Sequence, residues 1–276
     1  MPELPEVETT RVGLLPLLNQ SVAQVTIRNG SLRWPIPADL PNLLAGQTLQ
    51  KLTRRAKYIL AHFDHGILLL HLGMSGRICL LAEYEAPQKH DHFDIRFTNG
   101  QVLRLRDPRR FGAVLWVIGD VKQHQLLNKL GPEPLEDAFN ANYLHQQLAK
   151  KKIAIKLAIM DGHIVVGVGN IYASESLFRA RINPETPANQ LTIGQCEALV
   201  HEIQATLSDA LKAGGSSLRD FFGADGNPGY FQQQYFVYGR ASDKASEACR
   251  VCGKPIKMIR QGQRSTFFCP CCQALK

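Results

Sequence analysis

The 276-residue chain is 45% hydrophobic and 20% charged, a balance that excludes a disordered or collagen-like polypeptide. No stretch approaches 18 consecutive apolar residues, so a membrane-spanning helix is excluded too. Lys and Arg number 32 against 24 Asp and Glu, a net charge of +8, which suits an anionic partner without naming one. The opening segment MPELPEVETT carries three glutamates and no basic residue. It reads as neither a secretory signal nor a transit peptide, and a cytoplasmic protein is expected.

In chain order, an amphipathic helix is expected near Val7 to Leu18. Short apolar runs follow at Val22 to Arg28, Lys57 to Phe63, Ile67 to Leu72, Arg77 to Leu81, Phe93 to Phe97, Val102 to Arg106 and Ala113 to Ile118. Turn signals at Asp64-His65-Gly66 and Thr98-Asn99-Gly100 separate some of them. Evenly spaced short strands of this kind predict a β-sandwich or flattened barrel. Two prolines in Gly131-Pro132-Glu133-Pro134 then interrupt the pattern, and the first domain is expected to end there.

Beyond that point the period becomes helical, over Ala141 to Lys150, Ile153 to Met160, Asn170 to Arg181 and Thr192 to Ala213. The glycine-rich link Gly162 to Gly169 predicts a helix pair joined by a long double turn. A loop rich in Gly, Ser, Asp and Asn runs from Gly214 to Gly229, long enough to be mobile or functional. Two basic clusters stand out, four arginines within Arg104 to Arg110 and four lysines within Lys150 to Lys156. Either a solvated face or phosphate contacts would account for them.

Five of the seven cysteines fall in the last 28 residues. Cys249-x2-Cys252 and Cys269-x2-Cys272 match the four-cysteine zinc pattern, and disulfides are the weaker explanation in a chain without an export signal. Cys271 is an alternative fourth ligand, but two-residue spacing lets both thiolates of a knuckle reach one tetrahedral ion and favours Cys272. Four thiolates close the coordination shell, so one structural Zn2+ is expected. The His90-Asp91-His92 cluster has no third ligand nearby to support a second metal.

The start Met1-Pro2-Glu3 carries a further chemical option. A small second residue permits removal of Met1, and Pro2 would then present a secondary amine able to attack an electrophilic carbon. The resulting iminium nitrogen has no proton to lose, so the adduct stays cationic and acts as an electron sink.

Met1-Pro-Glu-Leu-Pro-Glu-Val-Glu-Thr9 resembles the N-terminal signature of the formamidopyrimidine-DNA glycosylase and endonuclease VIII family. The resemblance continues in order through Arg55-Ala-Lys57-Tyr, His71-Leu-Gly-Met74-Ser-Gly, Lys89-His90-Asp-His, Asp107-Pro-Arg109-Arg-Phe111-Gly and Leu130-Gly-Pro-Glu-Pro. It ends with Val166-Gly-Val-Gly-Asn170-Ile-Tyr-Ala-Ser-Glu, Gln263-Arg264 and the terminal cysteines. It implies an α+β protein with an N-terminal β-sandwich (residues 1–131), a helix–two-turn–helix domain (132–235) and a zinc-finger hairpin (236–276).

The resemblance also implies roles. Pro2 attacks C1′ of a damaged nucleotide, Glu3 protonates the sugar ring oxygen with Glu6 as support, and Lys57 serves the β-elimination step. Arg264 matches the position assigned to δ-elimination, where arginine's basicity favours phosphate binding and charge stabilisation over proton donation. The target base must leave the stack, and Met74, Arg109 and Phe111 match the residues that fill the void. His90, Arg109 and Lys151 match DNA contacts, Asn170 is suited to a phosphate or to a plain N-cap, and the loop Gly215 to Gly229 matches a segment that closes over the extruded base. The implied partner is double-stranded DNA with oxidised bases or abasic sites, approached by a nucleoid-associated monomer. The Met74, Arg109, Phe111 set and the Lys89-His90-Asp91-His92 motif favour oxidised purines over the pyrimidines of the endonuclease VIII branch. A non-catalytic zinc-finger DNA-binding protein would explain the charge and the cysteines, but not Met-Pro-Glu joined to Lys57.

Overall fold

In the computed structural model, residues 2–217, 223, 224, 226 and 228–275 are described. The chain divides into two compact units, one of residues 1–128 with 211–232 and the other of 129–210 with 233–276. Among the described residues, no helix is long and apolar enough to cross a membrane.

The first unit begins with α1 (Leu4–Gly13) and a 3-10 turn at Leu15–Leu17. The helix starts earlier than the apolar spacing suggests because Glu3 caps it and Pro5 sits in the first turn, where a missing N–H costs nothing. It ends before Pro16, which cannot donate to the preceding turn. Eight strands follow: β1 (Val22–Ile27), β2 (Leu49–Arg55), β3 (Tyr58–Phe63), β4 (Gly66–His71), β5 (Arg77–Leu81), β6 (Asp91–Phe97), β7 (Val102–Arg106) and β8 (Ala113–Val117). A short helix α2 (Leu40–Leu44) separates β1 from β2.

The strands form two antiparallel sheets, ordered β1-β6-β7-β5 and β2-β3-β4-β8. Val25, Phe93, Ile95 and Leu105 from the first share one core with Leu52, Ile59, Leu68, Leu70 and Val114 from the second. This is the sandwich arrangement, and seven of its strands were legible as apolar runs. The eighth, β2, was not. It lies at a sheet edge, where exposed Lys and Arg are tolerated. An irregularity between Leu49 and Lys51 also breaks its two-residue period.

The arginine cluster turns out to be divided. Arg104 and Arg106 lie directly across from Asp94 and Asp91 in the β6–β7 register. Each pair is bidentate: Arg104 Nε and Nη2 donate to Asp94 at 2.9 and 2.8 Å, and Arg106 Nε and Nη2 to Asp91 at 2.6 and 2.9 Å. Burial alone would raise the Asp94 carboxyl, but hydrogen bonds from Arg28 and Arg104 hold it below the usual carboxylate range. These two arginines are therefore internal struts and neither a solvated face nor phosphate ligands. Arg109 and Arg110 remain exposed.

In the second unit, α3 (Ala141–Leu148), α4 (Ile155–Ile159), α5 (Asn170–Arg179) and α6 (Ile193–Lys212) follow the helical period. The link between α4 and α5 buries Ile164, Val165, Val166 and Val168. Asp161 O accepts from both Ile164 N–H and Val165 N–H within it. A two-stranded hairpin, β9 (Lys257–Gln261) and β10 (Arg264–Phe268), closes the chain. Its two-residue turn, Gly262-Gln263, has positive φ at both positions (51° and 61°), the geometry that tight hairpins favour.

Candidate active site

The register of one sheet assembles half of the site. Tyr58 of β3 pairs with His71 of β4, and His71 pairs with Ala113 of β8. Lys57 precedes Tyr58, the Gly73-Met74 turn follows His71, and Phe111-Gly112 precedes Ala113. Three strand ends thus carry Lys57, Met74 and Phe111 to one end of the sheet. α1 begins at Leu4, so Pro2 and Glu3 are its immediate leader.

Glu3 is buried, and Pro2 is half-buried with no regular structure of its own. Glu3 N–H donates to Glu6 Oε2 at 2.8 Å, part of a capping box at the start of α1. The other Glu6 oxygen accepts from Ser216 N–H at 2.8 Å. Glu6 is therefore a buried bridge and not a solvated helix-start charge.

Met74 is half-buried, while Phe111 is 42% exposed and carries the Arg109 guanidinium 4.8 Å from its ring centre. An exposed phenylalanine under an exposed arginine is a poor core residue and a suitable wedge. Beside them lies an open cavity of about 370 Å3 lined by Ser31, Leu32, Arg33, Arg109, Arg110 and Phe111. His71 is packed beneath this end of the sheet, its ring 4.7 Å from that of Tyr58. Burial, followed by the charges of Lys57 and Arg33, pushes its imidazole down to about 4. It is neutral at pH 7, and its Nδ1 accepts from Gly73 N–H at 3.1 Å.

His90 adopts a left-handed backbone (φ 75°), its ring edge-on to His92 at 6.2 Å. Asp91 is engaged by Arg106, and His92 Nε2 lies 2.9 Å from Asp107 O. Among the described residues, the one group suited to a metal is Cys249, Cys252, Cys269 and Cys272.

Their four sulfurs lie within 4.8 Å of one another, with Cys252–Cys269 at 3.4 Å and Cys249–Cys272 at 3.9 Å. These separations are far too long for disulfides. They bracket the roughly 3.8 Å between sulfurs expected around tetrahedral zinc with bonds of about 2.3 Å. Cys271 is exposed and outside the group. The donor set fits one structural zinc.

The same unit holds Asn170, Lys151 and Arg264. Gly169 is the N-cap of α5, so Asn170 is not the cap that its position suggests. Its amide is drawn instead into a buried network. Lys156, 0% exposed, donates to Asn170 Oδ1 and Thr266 Oγ1 at 2.6 Å each and to Ser265 O at 3.2 Å. Asn170 Nδ2 donates to Ser265 O at 2.9 Å and to Tyr238 Oη at 3.4 Å. Ser265 and Thr266 follow Arg264 on β10, and Arg264 itself is exposed.

Three backbone N–H groups, of Phe236, Val237 and Tyr238, converge on buried Glu175. Burial pushes that carboxyl up in spite of them. Lys151 is half-exposed and 3.8 Å from Asp161. In the loop Gly215 to Gly229, residues 218–222, 225 and 227 lie outside the described residues, as does Met1.

Sequence reasoning did not single out His71, Ser75, Asp107, Lys156 or Tyr238. Most stand inside motifs that did attract attention, but each acts through a partner that only packing supplies.

Three family models match in chain order: the formamidopyrimidine-DNA glycosylase N-terminal domain over residues 1–114, the H2TH domain of the same enzymes over 130–222, and a zinc finger found in FPG and IleRS over 246–275. The chain is 62% identical to a formamidopyrimidine-DNA glycosylase of Methylobacillus flagellatus, covering 99% of this chain and 96% of that protein. It is 54% identical to one from Janthinobacterium, covering 99% and 100%. Among solved structures, the MutM (Fpg) protein of Thermus thermophilus superposes with a TM-score of 0.88 at 36% identity, covering 99% of this chain and 98% of that one. Lactococcus lactis Fpg in complex with DNA containing an abasic site gives 0.90 at 35% identity, covering 99% and 100%. A mutant of that protein bound to Fapy-dG DNA gives 0.91 at 35% identity, with the same coverage.

Proposed function

The chain belongs to the formamidopyrimidine-DNA glycosylase family, and on that premise we propose that it is a bifunctional DNA glycosylase and abasic-site lyase of base excision repair. Its substrate is duplex DNA carrying oxidised purines, 8-oxoguanine and formamidopyrimidines. Residues 1–131 are its catalytic domain, 132–235 its helix–two-turn–helix domain and 236–276 its zinc finger. It works as a monomer on nucleoid DNA in the cytoplasm. The observation that carries the reading is the leader of α1: a proline followed by a buried glutamate, held by a capping box.

The chemistry follows from those groups. Once Met1 is removed, the Pro2 nitrogen attacks C1′ of the extruded nucleotide, the C1′–base bond breaks with its electron pair going to the base, and the proton shed by the Pro2 nitrogen neutralises the departing base. Glu3 gives a proton to the ring oxygen as the C1′–O4′ bond opens, leaving a cationic iminium. That cation acidifies C2′–H, and loss of the proton expels the 3′ phosphate. A second elimination expels the 5′ phosphate. Lys57 serves the first elimination, while Arg264 holds phosphate charge.

Met74, Arg109 and Phe111 occupy the space the base leaves. His90, Lys151 and Asn170 bind the DNA backbone. Cys249, Cys252, Cys269 and Cys272 would hold the zinc, which supplies no chemistry beyond fixing the hairpin that bears Arg264.

Borohydride reduction during turnover of a duplex with 8-oxoguanine opposite cytosine tests this directly. The expected product is a covalent adduct mapping to the N-terminal peptide by mass spectrometry. Absence of an adduct would overturn the covalent mechanism, and cleavage of thymine glycol alone would overturn the purine assignment.

A further inference from the structure

Asp107 is 0% exposed, and its carboxyl group is held by donors from two turns. Oδ2 accepts from Gly112 N–H at 2.8 Å. Oδ1 accepts from Ser75 Oγ–H at 3.0 Å and from Arg109 N–H at 3.3 Å. Arg109 N–H is shared with Ser75 Oγ at 3.2 Å. Ser75 is the residue after Met74, and Arg109 and Gly112 bracket the turn that presents Phe111.

The two turns also meet backbone to backbone. Gly73 sits at φ +61°, and a Cβ there would fall 2.4 Å from the Phe111 carbonyl carbon and 2.6 Å from Gly112 N. That approach leaves room for no other residue. Asp107 is itself fixed through its main chain, since its N–H donates to His90 O at 3.0 Å.

We propose that Asp107 is a positioning residue that locks the Met74 turn to the Arg109–Phe111 turn, so that all three side chains enter the duplex as one preformed wedge. The inference rests on the insertion role assigned above and adds the device that makes it concerted. A carboxylate suits the task because it offers only acceptors to three converging donors. Hydrogen bonds from backbone and hydroxyl groups to a buried carboxylate are also stronger than neutral ones. An amide at this position must turn an NH2 toward one of those donors.

The test uses the full-length, zinc-loaded protein and a duplex bearing 8-oxoguanine beside 2-aminopurine, whose stopped-flow fluorescence reports unstacking. Asp107→Asn is expected to slow that phase about tenfold. Ser75→Ala, which removes the tie to the Met74 turn and spares the one to Gly112, slows it several-fold. Ser75→Thr keeps the hydroxyl and restores the rate. Borohydride trapping on a single-stranded abasic oligonucleotide, which needs no wedge, stays within about twofold for all three.

In the wild type, Met74→Ala and Phe111→Ala combine non-additively, and in a Ser75→Ala background they become additive. An unchanged unstacking rate in Ser75→Ala overturns the proposal. So does an equal loss in both assays, which would reduce the network to fold stability. If Asp107→Asn does not fold, Ser75→Ala and its threonine rescue decide the question alone. Failure of the wild type to trap on abasic DNA would instead overturn the proposed function.

Discussion

Glu6 accepts a hydrogen bond from the backbone N–H of Ser216, 210 positions away, at the same 2.8 Å at which it accepts from Glu3 N–H. One carboxylate thus joins the leader of α1 to the base of the Gly215 to Gly229 loop. Because both donors are backbone groups, neither can turn away if the acceptor is lost.

Glu6→Gln is expected to destabilise the first unit by about 1–3 kcal/mol, because the amide must present N–H to one of two N–H groups. Glu6→Asp, one methylene shorter, keeps the charge and loses the span. Urea unfolding measures the first effect. Borohydride trapping measures the misplacement of Pro2, with about a tenfold loss expected for either variant.

Lys156 is a buried cation of the second unit. Lys156→Met removes the donor to Asn170, Thr266 and Ser265 and leaves their oxygens buried. The expected cost is about 2–4 kcal/mol, read by urea unfolding. Since Ser265 adjoins Arg264, affinity for abasic-site duplex should fall about tenfold while zinc content stays stoichiometric. Loss of zinc from this variant would show that Lys156 supports the finger as a whole and not the placement of one strand.

Cys271 and Cys272 separate cleanly. Cys272→Ser is expected to lose the metal, because one of four clustered sulfurs is gone. Cys271→Ser should retain it, because that thiol is exposed and lies outside the cluster. Metal analysis of the purified proteins decides. Chelation of the wild type should weaken DNA binding, since the hairpin is too small to order itself without the ion.

His71 makes the stability depend on pH with a definite sign. Its imidazole is held down at about 4 in the fold against an ordinary 6.5. Between those values the unfolded chain binds a proton that the native protein does not, so stability falls as pH drops from 6.5 toward 4. The loss is on the order of 3 kcal/mol, and His71→Asn, which retains an acceptor for Gly73 N–H, should flatten that segment of the stability curve. Below it, Asp91 and Asp94 add a further loss of the same sign, because hydrogen bonds from arginines overcome the effect of burial and hold both carboxyls low. Thermal melts across the range measure both parts.

Much of this protein was legible before folding. Short apolar runs between turn signals marked seven strands of the sandwich and helical spacing marked the four helices of the second unit, because both are properties of a few neighbouring residues. The Cys-x2-Cys spacing likewise belongs to single turns. Edge strand β2 escaped because charge and an irregular register erased its period.

What tertiary structure alone decided were partners. Arg104 and Arg109 share one basic run, yet β6–β7 register buries the first against Asp94 while a turn exposes the second over Phe111. Lys151 and Lys156 share another, and one is half-exposed while the other is sealed against Asn170 and Thr266. Asp107 is only one letter of a motif in the sequence, and the fold alone brings its carboxyl to Ser75 Oγ and Gly112 N–H. Whether a charge meets solvent, DNA or a buried acceptor depends on groups tens or hundreds of positions away, and no local pattern encodes that distance.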